Sequence, residues 1–166
     1  MVVACVSLMS ASKIASSEDA PKLPAVAATT ESAAHSFRPG FDDMMTMLVQ
    51  PRHLKLYYAG TQKNWELAAA QLTGLRTALG RIASSYPNYQ DIGVDEALLS
   101  IIAPKLEAVA IAIASADTKR FADAYRDLTS ACNACHAYME RPFLVMKVPD
   151  AAGSGAYPNQ EFGPTP

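Results

Sequence analysis

The sequence predicts an all-α protein, an antiparallel up-down-up-down four-helix bundle. Three observations carry that prediction. Alanine is abundant and valine-rich alternating runs are scarce, a composition that favours helix over strand. Apolar residues recur at three- and four-residue steps through four stretches beyond residue 37, the period of a helix with one buried face. The breaks between the stretches are short, so consecutive helices are expected to lie antiparallel.

The first helix is expected from about Gly40 to Ala59, with Gly60 as its C-terminal stop. Met44, Met47, Leu48, Pro51, Leu54 and Tyr58 mark its apolar face. Pro51 should kink or weaken it, because proline has no N–H to give the preceding turn. The second helix spans about Gln62 to Ser85. Its stripe is Trp65, Leu67, Ala68, Leu72, Leu75, Leu79 and Ile82, and the tract Ser84-Ser85-Tyr86-Pro87-Asn88 breaks it.

The third stretch runs from about Val94 to Ala116. Pro104 divides it into a short leading helix and a main one starting near Ala103, whose face is Leu106, Val109, Ala110 and Ile113. The fourth begins near Asp117 or Thr118, a good cap, and runs to about Glu140 before Pro142 ends it. Phe121, Tyr125, Leu128, Cys132, Cys135 and Met139 fall largely on one side. Arg141 to Pro166 carries Pro, Gly and Ser and is expected to wrap the surface or hang free.

The chain of 166 residues is long enough for one core and too short for two comfortable domains. It divides into a leading segment 1–37, a helical domain 38–142 and an extended tail 143–166. A net charge of −2 and the lack of a basic stripe argue against nucleic acid as a partner. No unbroken run approaches the ~18 apolar residues of a spanning helix.

The leading segment reads as an export signal followed by a flexible spacer: MVVACVSLM is apolar, and Ala15 to Ser36 is rich in Ala, Ser, Thr, Glu and Pro. No Lys or Arg precedes Lys13, so the positive charge of an export signal is missing, and one resolution is a different true start codon. Val2-Val3-Ala4-Cys5 is similar to a lipobox, which makes Cys5 a candidate lipid anchor to a membrane surface. The plainer alternative is an incidental cysteine of an apolar stretch. His35 lies in the spacer and is expected to be idle.

Cys132-Asn133-Ala134-Cys135-His136 spells C-x-x-C-H, the attachment signal of a c-type haem. Two thiols at this spacing can each add across a vinyl group of one haem, and the adjacent imidazole is then an axial iron ligand. Two other chemistries compete. A thioredoxin-like thiol pair needs a strand–turn–helix context, whereas this segment sits late in a helix. A zinc site needs a fourth ligand, yet Cys5 is at the far N-terminus, and His35 and His53 are not at finger spacing from Cys135. There is no nucleophile–base pair, phosphate loop or carboxylate dyad, so enzymatic turnover is not expected.

With C-x-x-C-H late on a fourth helix, the chain resembles the cytochrome c prime class of monohaem proteins. It is closer still to a bacterial group with segments like Gln50-Pro51-Arg52-His53-Leu54-Lys55-Leu56-Tyr57-Tyr58-Ala59-Gly60, Asn64-Trp65-Glu66-Leu67-Ala68 and Tyr157-Pro158-Asn159-Gln160-Glu161-Phe162. The resemblance covers about residues 40 to 164. It departs just after the motif, where Ala137-Tyr138-Met139-Glu140 replaces the usual aromatic-then-arginine ending. It implies a four-helix bundle with one covalent haem c, held by Cys132 and Cys135 with His136 as proximal ligand. It also implies a homodimer through the first two helices.

Function then turns on the second face of the iron. A methionine there suits electron transfer; an open face suits binding of nitric oxide or carbon monoxide. His136 lies about 19 residues into its helix, roughly 28 Å from the start at ~1.5 Å per residue. Going back about 14 to 16 residues from Ala59 on the first helix covers a similar rise, about 21 to 24 Å, and reaches Met44 and Met45. These two are the candidate distal ligands, Met45 preferred because related first-helix segments place a methionine nearby. Met47 falls a turn short, and His53 is a further candidate. The alternatives are that the methionines only fill the core, and that Arg52, His53 and Lys55 form a solvated helix face. Trp65 is expected in the core, and Tyr57, Tyr58 and Tyr138 are expected to pack in the core or against the haem. The resulting expectation is a one-electron carrier of the periplasm with an unidentified redox partner protein. Its rival is a five-coordinate haem protein that binds nitric oxide or carbon monoxide.

Overall fold

The computed structural model describes residues 38–149 and 163–164. Cys5 and His35 lie outside the described residues. Within them the structure is all-α apart from one two-residue-per-strand hairpin. Four helical rods follow one another. The first is α1 (Phe41–Met44), a π turn at Met45–Val49, and α2 (Gln50–Thr61). The second is α3 (Trp65–Ser85). The third is α4 (Val94–Ala97), a π turn at Leu98–Ile102, and α5 (Ala103–Ala114). The fourth is α6 (Thr118–Tyr138).

Proline shapes two of the rods in the same way. Pro51 and Pro104 each occupy the first turn of an α-helix, directly after a π turn. A proline offers no N–H to the residue four back, and its ring crowds that carbonyl. The chain widens by one residue instead. Gln50 N–H reaches Met45 O, and Ala103 N–H reaches Leu98 O. The Arg52 guanidinium donates to Leu48 O at 2.6 Å, inside the same turn. The expected kink at Pro51 is therefore a π turn that keeps the helix continuous.

The inserted residue turns the buried face. Met44, Val49, His53, Leu56 and Gly60 are buried, with a step of five across the π turn. The straight-helix expectation placed Met47 and Leu54 inward. Met47 is 67% exposed and Leu54 half-buried, while Leu56 is fully buried. Val94, Ala97, Ile102, Leu106, Val109 and Ile113 repeat the pattern in the third rod.

Gly60 does not stop the first helix, which runs on to Thr61. The stop lies beyond, where Lys63 takes a left-handed φ of 61°. Lys63 N–H then meets Gly60 O at 3.1 Å and Asn64 N–H meets Ala59 O at 2.9 Å, the paired bonds of a Schellman turn. Gly60 serves packing: a Cβ there would lie 2.1 Å from Cζ of Phe121. Ala116 (φ 50°) and Glu140 (φ 58°) close α5 and α6 by the same device. At the other ends, Asn64 Oδ1 accepts Leu67 N–H at 3.0 Å and Asp117 Oδ1 accepts Arg120 N–H at 2.9 Å, capping α3 and α6.

Helix α2 packs along α3 and α6, and α5 packs along α6 and α3. The shared core holds Leu56, Leu72, Leu75, Val109, Phe121, Tyr125 and Leu128. Between α3 and α4, β1 (Asn88–Tyr89) pairs antiparallel with β2 (Ile92–Gly93). Gln90 and Asp91 both take positive φ at its tip, a type I′ turn without the usual glycine. The hairpin stacks Tyr89 on Phe41, ring centroids 4.3 Å apart. The segment Val94–Ala114 is long and apolar enough, by length and composition, to cross a membrane. One of its faces is core, as above, while Leu99 and Ile111 stay exposed.

Candidate functional site

The C-x-x-C-H motif occupies the last turns of α6. Cys132 and Cys135, one turn apart, are half-buried on the inward side of the helix, and both are free thiols. Burial pushes the Cys132 thiol up to about 12, with neighbouring Cys135 adding to the rise, and burial also raises Cys135. Both are therefore protonated at neutral pH. That disfavours a nucleophilic thiolate pair of the thioredoxin kind. Among the described residues no group of three or more His, Cys, Asp or Glu side chains is arranged to hold a metal ion.

His136 is held by a bond that sequence reasoning missed. Its Nδ1 lies 2.6 Å from Leu144 O. A carbonyl only accepts, so Nδ1 carries the proton, and in the neutral ring Nε2 keeps its lone pair. Leu144 reaches this position because the tail folds back along α6. The Schellman turn starts the reversal: Glu140 N–H bonds Ala137 O at 3.1 Å and Arg141 N–H bonds His136 O at 2.7 Å. Asn133, an interior residue of the motif, then pins the returning strap. Its Nδ2 donates to Met146 O at 3.0 Å, and its Oδ1 accepts Met146 N–H at 2.7 Å. The described part of the tail thus wraps the helix. Further on, Gly163 O accepts Asn64 Nδ2 at 2.6 Å. No periodicity rule marks Asn133 or Leu144; the only signal was a hydrogen-bonding residue inside the motif.

Two adjoining cavities open beside the motif. The first, of about 270 Å³, is bounded by Met45, His53, Cys132, Cys135 and His136 among mostly aliphatic neighbours. The second, of about 290 Å³, shares Met45, Cys135 and His136 and extends to Asp42 and Arg141. Met45 lines both. Met44, one residue earlier, lines neither and is buried in the core at 7% exposure. The structure therefore brings Met45 and the motif to one cavity and separates Met44 from it.

His53 is not part of a solvated face. It is 3% exposed and joined to α6 on both ring nitrogens. Nε2 lies 3.2 Å from Thr129 Oγ1, and Nδ1 lies 2.9 Å from Tyr125 Oη. Thr129 Oγ1–H donates onward to Tyr125 O at 2.9 Å, so its oxygen is free to accept an Nε2–H, and the Tyr125 hydroxyl lies within reach of both His53 Nδ1 and His53 O, the latter at 3.0 Å. Both ring nitrogens of His53 thus have side-chain partners on α6. Burial lowers its pKa to about 4, which keeps the ring neutral. The π turn is what rotates it inward. Arg52 is half-buried on Leu48 O, and Lys55 is half-buried too.

The remaining aromatic residues divide. Tyr58 is buried, Tyr57 is half-buried against Tyr125, and Trp65 is half-buried with its edge on Phe121. Tyr138 is 43% exposed and so lies outside the core. Compared with known proteins, the chain matches no family model, no curated protein and no solved structure.

Proposed function

We propose that this chain is a monohaem c-type cytochrome, a one-electron carrier that works outside the bacterial inner membrane, and not an enzyme. The four rods are read as an antiparallel up-down-up-down bundle with the cofactor seated between the first and fourth. Cys132 and Cys135 hold haem c. Each thiol would join one vinyl group as a thioether, its sulfur on one carbon and its hydrogen on the other, an addition that needs no oxidant. The two thiols lie half-buried one turn apart on the inward face of α6, where a single haem could reach both.

The observation that carries the reading is the Leu144 carbonyl on His136 Nδ1. A ligating histidine commonly gives its other ring N–H to a carbonyl, which fixes the tautomer and strengthens the ligand. Here that bond leaves Nε2 for the cavity that both thiols line. The mostly aliphatic wall excludes water, which tunes a haem potential. Met45 is the proposed distal ligand: it lines the cavity, whereas Met44 is committed to the core and His53 to Tyr125 and Thr129. Bound haem supplies one-electron exchange at its iron.

The test is a pyridine haemochrome assay on protein matured in a periplasm, then a reduced spectrum with and without carbon monoxide. The expected result is one covalent haem per chain and a sharp low-spin band indifferent to the gas. A band that converts on adding gas means that the sixth position is open and favours binding of nitric oxide or carbon monoxide. Absence of covalent haem rejects both readings.

A further inference from the structure

Arg141 is anchored immediately past the motif. The Schellman turn ties its N–H to His136 O at 2.7 Å, so its position is fixed by the same turn that ends the haem-binding helix. Its side chain is only 19% exposed. Nη2 donates to the Tyr89 hydroxyl, and the guanidinium carbon lies 5.0 Å from the centre of the Tyr89 ring. Nη1 is 3.7 Å from Asp42 Oδ2, beyond hydrogen-bond length, and Asp42 is itself 62% exposed. Nε is buried and has no hydrogen-bond partner among the described residues.

A desolvated cation with a distant counter-ion and an orphaned donor is costly, and an anion would relieve both the charge and the donor. Arg141 lines the second cavity beside Cys135 and His136; the other charged group lining it is Asp42. Cys132 lines only the first cavity. A haem held through its vinyl groups at Cys132 and Cys135 turns its opposite edge, which carries the two propionates, away from them. The cavity that extends past Cys135 and His136, and that Cys132 does not line, is the one that holds Arg141.

We propose that Arg141 is the propionate-binding residue of the cavity, receiving a haem carboxylate on the buried Nε–H. Guanidinium is suited to this role because its donors form a rigid fork matched to carboxylate geometry. This inference rests on the haem reading above. Tyr89 and Asp42 hold the guanidinium from the hairpin and from α1, and the propionate completes its hydrogen bonding.

The experiment compares the holoprotein with Arg141→Gln, Arg141→Lys and Tyr89→Phe by haemochrome yield, reduction potential and thermal melting. Arg141→Gln removes a positive charge beside the propionate, so the oxidised form is relatively favoured and the potential falls. Arg141→Lys recovers most of the fall, and Tyr89→Phe lowers the melting temperature without moving the potential. If Arg141→Gln lowers melting but leaves the potential unchanged, Arg141 is a staple only and the proposal fails. A crystal structure of the unmutated holoprotein decides independently of any variant: Arg141 Nε within about 3 Å of a propionate oxygen supports the proposal, and a propionate bound elsewhere overturns it. A negative haemochrome assay removes the haem reading and this inference together. Haem present with its propionate elsewhere removes this inference alone.

Discussion

Gly60→Ala sets two physical effects of opposite sign against each other. By helix propensity the change should stabilise, because alanine is about 1 kcal/mol better than glycine inside a helix. By packing it should destabilise. A Cβ at position 60 would lie 2.1, 2.2 and 2.6 Å from Cζ, Cε1 and Cε2 of Phe121. All three atoms belong to one rigid ring, so no flexible tip can swing aside. Phe121 has no solvent exposure and is flanked by Trp65 and Tyr125, with ring centroids 5.9 and 6.0 Å away. Relief therefore requires α2 and α6 to separate. Overpacking of this kind costs about 1 to 3 kcal/mol, and a clash with backbone-anchored helices belongs at the upper end. After subtracting the propensity gain, the net loss is about 2 kcal/mol, or a fall of roughly 8 °C for a domain near 100 residues. Chemical denaturation measured with Gly80→Ala alongside makes the comparison internal. Gly80 is exposed within α3 and has nothing within 4 Å of a built Cβ, so its substitution should stabilise by about 0.5 to 1 kcal/mol. Gly60→Ala with Phe121→Leu should recover part of the loss. If Gly60→Ala is as stabilising as Gly80→Ala, the close approach of α2 to α6 is wrong.

Four other substitutions probe the site. Met45→Ala should turn the reduced protein high-spin and gas-binding; Met44→Ala should leave the spectrum alone while costing about 2 to 4 kcal/mol as a core truncation, and the converse pattern would reverse the two assignments. His53 binds its proton less readily folded than unfolded, with its pKa lowered to about 4, so the unfolded chain takes up more protons as pH falls below ~6.5 and stability is lost between there and pH 4. At about 1.4 kcal/mol per pH unit this amounts to roughly 3 kcal/mol, and His53→Gln should flatten that part of the stability–pH curve. Asn133→Ala removes both bonds to Met146, at about 0.5 to 1.5 kcal/mol each, so hydrogen exchange at the Met146 amide should speed up. Loosening Leu144 should also raise the reduction potential, because a weaker acceptor at Nδ1 makes His136 a poorer donor to iron; an unchanged potential would separate the strap from the ligand.

Where a local rule decides, the sequence was readable. Asp117 caps the helix that its side chain announces, and Pro104 begins the main helix of the third rod near the expected Ala103; the Asn64 cap, by contrast, starts α3 at Trp65, later than the expected Gln62. The inward face of α6, from Phe121 to Met139, follows helical period without interruption, so the motif cysteines could be placed on the core side from spacing alone. Contacts distant in sequence left no such trace. Nothing local links Asn133 to Met146, Arg141 to Tyr89, or Gly60 to Phe121. Gly60 even misleads, since a glycine near a helix end usually reads as its stop, whereas left-handed Lys63 ends this one.

The π turns account for most of what was misplaced at the site. Proline was correctly read as a disruption, but a kink and a one-residue insertion have different consequences. A kink bends the axis and keeps the face; an insertion keeps the helix continuous and turns the face by about 100°, the angle of one residue. After Met45–Val49 that rotation takes Met47 and Leu54 out of the core and brings Leu56 in. It also carries His53 from an expected solvent face to Tyr125 and Thr129. Met44 lies before the turn and Met45 within it, which is why neighbours in sequence end in different surroundings, one in the core and one at the cavity. Such turns tend to occur at functional sites. Here the cause is identifiable: Pro51 forces the extra residue, and the extra residue parts Met45, at the cavity that His136 also lines, from Met44 in the core.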